Sequence, residues 1–344
     1  MDRMNSILII YTGGTIGMVN DPVTGSLVPI DFSHISDQVP ELRRFMLNLE
    51  SVTFDPVIDS SNVSPEIWIR IADTIAENYD EYDGFVVLHG TDTMAYSASA
   101  LSFMLSGLEK PVIFTGAQLP IGVLRTDGKE NLITAIEIAA SREEETPVVP
   151  EVCIYFENRL LRGNRTIKYS AEHFNAFTSP NFPPLAEAGL QIRYNRNIIR
   201  YPTVRRPLTV SRGFDTGVTV LRLFPGIRHE TVHSVLGTPG LHGVVLETFG
   251  TGNAPTVGWF IDELSLFIAG GGIVINVTQC PAGSVDMGLY ETSAGLKSAG
   301  VISGRDITTE AAITKMMILL GSSPEKHMVE TMLSKPIRGE MAAQ

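Results

Sequence analysis

At 344 residues, with 19% charged and 44% hydrophobic residues, the chain has the composition of a soluble globular protein. It exceeds the size at which one core usually stops growing, so two domains are expected. A formal net charge of −12 without a clustered Lys/Arg stripe leaves no electrostatic footprint for nucleic acid or an anionic membrane, and no run approaches the roughly 18 apolar residues of a membrane span.

The opening MDRMNSILIIYTGG lacks the long apolar stretch and cleavage site of a signal peptide and reads as a first core strand. Short apolar runs then alternate with helix-length amphipathic stretches. VTFDPVID is a second strand, followed by a helix from about Glu66 to Tyr79, the strand GFVVLHG and a helix through Leu105. PVIFTGAQ, a helix from about Asn131 to Ala140, and VVPEVCIYF continue the βαβ rhythm of a mostly parallel sheet. Between about Asn195 and Arg212 the pattern lapses into a polar, basic stretch with two prolines, the composition of a linker. Beyond it GVTVLRLFP, LHGVVLETFG, GGGIVINVTQC and helical segments near Val257, Ile313 and Met328 form a smaller unit. The expected fold is α/β, with a larger N-terminal parallel-sheet domain (1–195), a linker (196–212) and a smaller C-terminal α/β domain (213–344).

Two cysteines, Cys153 and Cys280, each lie in an apolar strand-like run and supply neither a disulfide framework nor a CxxC metal pattern. Both are expected to be buried, inert thiols in a reducing, cytoplasmic compartment.

In open parallel sheets ligands bind at the carboxyl ends of the strands. Here successive strand ends carry Thr12-Gly13-Gly14-Thr15, Asp59-Ser60-Ser61, His89-Gly90-Thr91-Asp92-Thr93 and Thr115-Gly116-Ala117-Gln118. Each has a plainer reading. Gly-Gly-Thr serves ordinary turns, Thr91 or Asp92 suits a helix N-cap, and Asp59-Ser60 suits an Asx-type turn. Their convergence on one rim favours a reaction site. Lys168, in GNRTIKYS, is by residue type a solvated charge, yet between a hydroxyl and a carboxylate it becomes a candidate base.

Tyr11 to Gly17 and His89 to Tyr96 resemble the two signatures of the asparaginase family, and their spacing is similar to that of the type I bacterial L-asparaginases. Further matches lie at Arg162 to Arg165, Ser179 to Pro184, Gly250 to Pro255 and Asn276 to Cys280. The resemblance implies hydrolysis of L-asparagine to L-aspartate and ammonia, without cofactor or metal. Thr15 would be the nucleophile, with Thr91, Asp92 and Lys168 resembling the family's second triad. Asp59 and Ser60 would hold the α-amino and α-carboxylate groups, with Ser61, Gly90, Thr91, Asp92 and Ala117 lining the substrate. Asn253 matches a position that reaches the neighbouring subunit's site, implying a homo-oligomer, a dimer of dimers.

Two departures stand out. The segment Met18 to Pro29 lacks the tyrosine that the family's lid often carries, which makes Tyr290 of a neighbouring subunit the candidate substitute, with Thr24 and Ser26 as alternatives. An allosteric asparagine site of some type I relatives uses an arginine and a threonine where this chain has Glu247 and Ile167, while Cys280 is retained. Two rivals remain: a component of a tRNA-dependent amidotransferase sharing the signatures, and a nucleotide-binding module, for which GxGxxG and GxxxxGK[ST] are both missing.

Overall fold

The computed structural model describes residues 4–20, 27–29, 39–288, 291–323 and 325–343, which form two compact units. The first is Met1–Ser179 with Pro183–Val210, and the second is Pro180–Phe182 with Ser211–Gln344. Within the stretch read as a linker, Thr209–Val210 pair antiparallel with Leu105–Ser106 and so belong to the first unit.

The first unit is built on an eight-stranded sheet among the described residues. Its strands are β1 (Ser6–Tyr11), β2 (Asn48–Thr53), β3 (Gly84–Leu88), β4 (Val112–Thr115), β5 (Val152–Phe156), β6 (Arg159–Arg162), β7 (Ala186–Ala188) and β8 (Ile192–Tyr194). Their spatial order is β8-β7-β6-β5-β4-β3-β1-β2. The five from β5 to β2 run parallel, and β6 to β8 add an antiparallel flank. The unbroken apolar runs of β1 and β3 follow from burial on both faces: Ile7 to Tyr11 and Phe85 to Leu88 are at most 1% exposed. Each large aliphatic side chain so buried contributes about 1.5–3 kcal/mol.

The second strand differs from expectation. It is NLESVT, Asn48–Thr53, and the chain from Phe54 to Ile58 is irregular. β2 is an edge strand whose residues are largely exposed, so it carries no apolar run. Pro56, which has no N–H to donate, interrupts the apolar stretch that looked like a strand. Phe54 and Ile58 still donate backbone bonds to Tyr11 and Thr12, at 2.9 and 2.8 Å, so the following Asp59 reaches the expected rim.

Helices α1 (Pro65–Glu77), α2 (Met94–Met104) and α3 (Gly128–Ala140) connect these strands. α1 buries Trp68, Ile71, Ala72 and Ile75, the i, i+3, i+4, i+7 stripe of a helix on a sheet. α2 is buried almost all round, and its Ala and Ser residues permit close approach: a Cβ on Gly163 would stand 3.0 Å from that of Ala98.

The second unit holds a parallel sheet in sequential order, β9 (Val218–Arg222), β10 (Gly243–Thr248), β11 (Ile273–Thr278) and β12 (Ile302–Ser303). Helices α4 (His229–Leu236), α5 (Gly258–Ala269), α6 (Glu291–Ser298), α7 (Thr309–Ser322) and α8 (Lys326–Leu333) accompany it. Val232, Val244, Leu246, Phe260, Leu264, Val274 and Leu296 share its core. Cys153 is buried in β5 as expected, but Cys280 is exposed. β11 ends at Thr278, whose hydroxyl accepts the Cys280 N–H at 3.0 Å, so the cysteine lies past the strand.

Candidate active site

From β1 the chain crosses to β2 on one side and then to β3 on the other, so the connections diverge at β1. In such sheets the ligand crevice opens beyond the carboxyl ends of the two strands at the divergence, here β1 and β3. The two motifs singled out in the sequence follow these two strands.

Glycines allow the loops to meet backbone to backbone. A Cβ on Gly13 would lie 2.1 Å from the Ile58 carbonyl oxygen, and one on Gly14, whose φ is +90°, would lie 2.5 Å from the Gly90 nitrogen. A Cβ on Gly90 would in turn lie 2.5 Å from Ser60 Oγ. Thr15 and Thr91 each follow one of the touching glycines. The loops after β1, β2 and β3 therefore form one rim.

The hydroxyls on this rim divide into used and available ones. Thr12 is buried and donates to the Leu88 carbonyl at 2.9 Å, which commits it to holding β1 against β3. Thr93 donates to the Ser60 carbonyl at 2.7 Å and occupies the N-cap position of α2. Thr15 begins a short 3₁₀ turn, and its hydroxyl bonds to no described residue. Thr91 does not cap the helix. Its hydroxyl oxygen accepts from Lys168 Nζ at 2.9 Å and its proton points to Gln118 Oε1 at 3.4 Å.

Lys168 also donates to Asp92 Oδ1 at 2.6 Å. The lysine side chain is 19% exposed and that of Asp92 62% exposed, so the pair opens onto solvent on the carboxylate side. The lysine is held by its backbone. After β6 a 3₁₀ turn at Gly163–Arg165 leads into Ile167–Lys168, which pairs antiparallel with Phe177–Thr178. The buried Thr166 hydroxyl donates back to the Arg162 carbonyl at 2.8 Å.

The Asx-turn reading of Asp59 holds: its Oδ1 accepts from the N–H and hydroxyl of Ser61 at 2.8 and 2.5 Å. These bonds hold the carboxyl below its ordinary pKa and leave its second oxygen without a described partner. Ser60 is buried and Ser61 exposed. Ala117, buried after β4, precedes Gln118, whose amide also donates to the carbonyls of Ala171 and His173, at 3.4 and 3.1 Å. Gln118 thus ties the Thr91 hydroxyl to the loop beyond Lys168, a role that sequence reading missed.

His89 lies beneath the rim, 1% exposed. Its Nδ1–H donates to the Gly90 carbonyl at 2.6 Å, and its Nε2 accepts from the Ser97 hydroxyl at 2.9 Å. Ser97 in turn accepts from the Trp68 indole N–H at 2.9 Å. Burial lowers the imidazole pKa to about 4, so the ring is neutral and orients the turn that carries Thr91. Burial likewise pushes the Tyr11 phenol up to about 12, leaving it a protonated wall beside Gly17.

In the second unit, Asn253 sits in the tight turn after β10, where its N–H donates to the Phe249 carbonyl at 2.8 Å. Glu247 of β10 is 9% exposed and accepts from Arg222 Nη1 at 3.2 Å and from Thr309 Oγ1 at 2.8 Å. Tyr290, Thr24 and Ser26 lie outside the described residues.

Residues 6–200 match the family described as "Asparaginase, N-terminal", and residues 217–333 match the "Glutaminase/Asparaginase C-terminal domain". The chain belongs to the asparaginase family. Among its asparaginase relatives, L-asparaginase 1 of Escherichia coli strain K12 is 43% identical over 343 residues, 98% of each chain. The crystal structure of L-asparaginase I from Vibrio cholerae O1 biovar eltor matches with a TM-score of 0.88 at 41% identity, covering 99% of this chain and 100% of that one. The thermostable L-asparaginase from Thermococcus kodakarensis matches with a TM-score of 0.89 at 30% identity, covering 98% of this chain and 100% of that one. A glutamyl-tRNA(Gln) amidotransferase component of Thermoplasma acidophilum is more distant than the Escherichia coli enzyme, 33% identical over 99% of this chain and 80% of that protein. As an asparaginase, the chain has the α/β fold expected of it, with a large sheet and a smaller parallel one. No helix among the described residues is long and apolar enough to cross a membrane.

Proposed function

We propose that this asparaginase hydrolyses L-asparagine to L-aspartate and ammonia with a threonine hydroxyl as nucleophile. The observation that carries the reading is the Thr91–Lys168–Asp92 cluster, with bonds of 2.9 and 2.6 Å, at the rim where Thr15 presents an uncommitted hydroxyl. A threonine hydroxyl is a weak nucleophile until a neighbouring group takes its proton. In its neutral form Lys168 accepts such a proton, and Asp92 stabilises the resulting ammonium.

In the first half-reaction the Thr15 oxygen bonds to the side-chain amide carbon and the carbonyl electron pair moves onto its oxygen. The backbone N–H groups of Thr91 and Asp92 donate to no described residue and so are free to stabilise that charge. Collapse breaks the C–N bond, the hydroxyl's proton leaves on nitrogen as ammonia, and Thr15 holds an aspartyl ester. In the second half-reaction water, deprotonated through Thr91 and Lys168, adds to the ester, and the Thr15 oxygen regains a proton as aspartate leaves. Asp59 and Ser60 hold the substrate's α-amino and α-carboxylate groups, with Asp92 also meeting the amine, while Ser61, Gly90 and Ala117 line the substrate. A second assignment, with Thr91 attacking first, rests on its direct contact with the lysine.

The assembly is a dimer of dimers in the cytoplasm, with Asn253 and Tyr290 supplied by neighbouring subunits. The two cysteines, unpaired with each other, accord with a reducing compartment.

The test is ammonia release from free L-asparagine by the purified protein without tRNA, with L-glutamine alongside. Release from the free amino acid supports the hydrolase. Silence on both, with ammonia made only in the presence of an aminoacyl-tRNA and partner subunits, overturns it in favour of the amidotransferase. Sedimentation of the same sample tests the assembly.

A further inference from the structure

Away from this rim, the second unit brings three metal-ligating side chains together. His229 and His233 stand one turn apart on α4, on the same face of the helix. Glu263 projects from α5, and its Oε1 lies 2.7 Å from His229 Nε2 and 3.1 Å from His233 Nδ1. One donor atom from each residue falls within 4.8 Å of the others. The carboxylate side chain is only 14% exposed, whereas those of the histidines are 47% and 68% exposed.

The scaffold beneath is rigid. Val232 of α4 and Phe260 and Leu264 of α5 are fully buried in one apolar core, which fixes the two helices below the cluster. A tetrahedral zinc site with bonds of about 2.0–2.2 Å sets neighbouring donors about 3.3–3.5 Å apart. The two His–Glu separations widen by less than an ångström to reach that spacing, and the histidines' exposure leaves room for a fourth, water ligand. Two imidazoles and one carboxylate suit Zn²⁺ and its first-row neighbours, while Ca²⁺ and Mg²⁺ favour all-oxygen sets.

We propose that His229, His233 and Glu263 form a Zn²⁺ site that clamps α4 to α5. The bound ion replaces the present His–Glu hydrogen bonds with three coordination bonds spanning two helices. It lies outside the residues assigned to asparagine hydrolysis, and its effect is on the stability of the second unit. Trp259 provides a reporter, because its ring centroid lies 5.0 Å from that of His229 and the only other tryptophan, Trp68, belongs to the first unit.

The test uses metal-stripped full-length protein titrated with Zn²⁺ alone by calorimetry, with Cu²⁺ quenching of tryptophan fluorescence as a second readout. The expected result is one Zn²⁺ per chain and a higher Tm with the metal. His233→Ala and Glu263→Gln, each with an unchanged circular dichroism spectrum, should weaken binding about tenfold or more. The His327→Ala variant, which removes a histidine outside the cluster, should bind as wild type. Quenching should disappear in Trp259→Phe. Equal Zn²⁺ affinity in wild type and both cluster variants, or no binding at about 100 μM metal, overturns the proposal.

Discussion

The Nζ of Lys168 stands 2.9 Å from Thr91 Oγ1 and 2.6 Å from Asp92 Oδ1, so one amine bridges a hydroxyl and a carboxylate adjacent in sequence. This is the arrangement in which a proton moves between oxygen and nitrogen without a change in heavy-atom positions.

Replacing Lys168 by Met keeps much of the chain's packing and removes the amine, and should lower kcat/KM by about 10² or more. Thr15→Ala and Thr91→Val should each abolish turnover. Thermal melts distinguish lost chemistry from lost folding, because none of these three residues is fully buried. A loss below tenfold in either threonine variant removes that residue from the mechanism.

His89 makes stability pH-dependent. Its folded pKa of about 4 lies below the unfolded value of about 6.5, so the unfolded chain binds its proton first. Its stabilisation is complete above pH 6.5 and is lost as pH falls from there to about 4, amounting to about 2 kcal/mol between pH 7.5 and 5. Urea unfolding at these two pH values should show a shallower decline in His89→Gln than in wild type. Equal declines would falsify the buried neutral imidazole.

Glu310 acts in the opposite sense. Burial, with the Glu247 charge as a lesser cause, raises its carboxyl to about 6. The stability it contributes is full below about 4.5 and lost as pH rises through 6. Glu310→Gln should therefore stabilise the second unit by about 2 kcal/mol at pH 7.5 and give little gain at pH 4.5. A gain of equal size at both values points to packing instead of charge.

Lys315 and Glu340 form an ion pair 2.6 Å long with both side chains 0% exposed. Lys315 also donates to the Lys335 carbonyl at 2.7 Å, and Glu340 accepts the N–H groups of Ile337 and Arg338, so the pair latches the C-terminal segment to α7. Lys315→Met leaves a buried carboxylate unpaired and should cost about 3–5 kcal/mol. The double variant with Glu340→Gln should lose less than the sum of the two single losses, and strict additivity would contradict the coupling.

Saturation with L-asparagine should be hyperbolic. Glu247, held by Arg222 and Thr309, and Ile167 stand where the sequence resemblance expects an arginine and a threonine for an effector, so a carboxylate and an aliphatic side chain replace its two partners. A sigmoidal rate curve for the wild type, made hyperbolic by an alanine at Cys280, would refute this.

The legible parts of the chain are those whose burial is symmetrical. β1, β3 and β4 bury both faces and spell unbroken apolar runs, so their ends, and the threonines following them, can be read directly from the pattern. β2 is exposed at the sheet edge, and its alternating NLESVT gives a weaker signal than the more apolar VTFDPVID beside it. Lys168 is identifiable from its motif, but its contacts with Thr91 and Asp92, more than seventy residues earlier, require the fold. Gln118 acts through carbonyls at Ala171 and His173, to which no local pattern points. α4 spans only Arg-flanked HETVHSVL, too short for a periodic signal that would single out its two histidines.

The glycine contacts along the rim also forecast how the gene should respond to random mutagenesis. Side chains at Gly13, Gly14 or Gly90 would collide with backbone or with Ser60, wedging apart the loops that carry the two threonines proposed to act on the substrate. A displacement of about 1 Å is enough to cost catalysis a factor near 10². Gly258, by contrast, has nothing within 4 Å of an added Cβ. A selection for activity should return diverse residues at Gly258 and near-uniform glycine at the other three, and would direct efforts to retune substrate preference toward Asp59, Ser61 and Ala117.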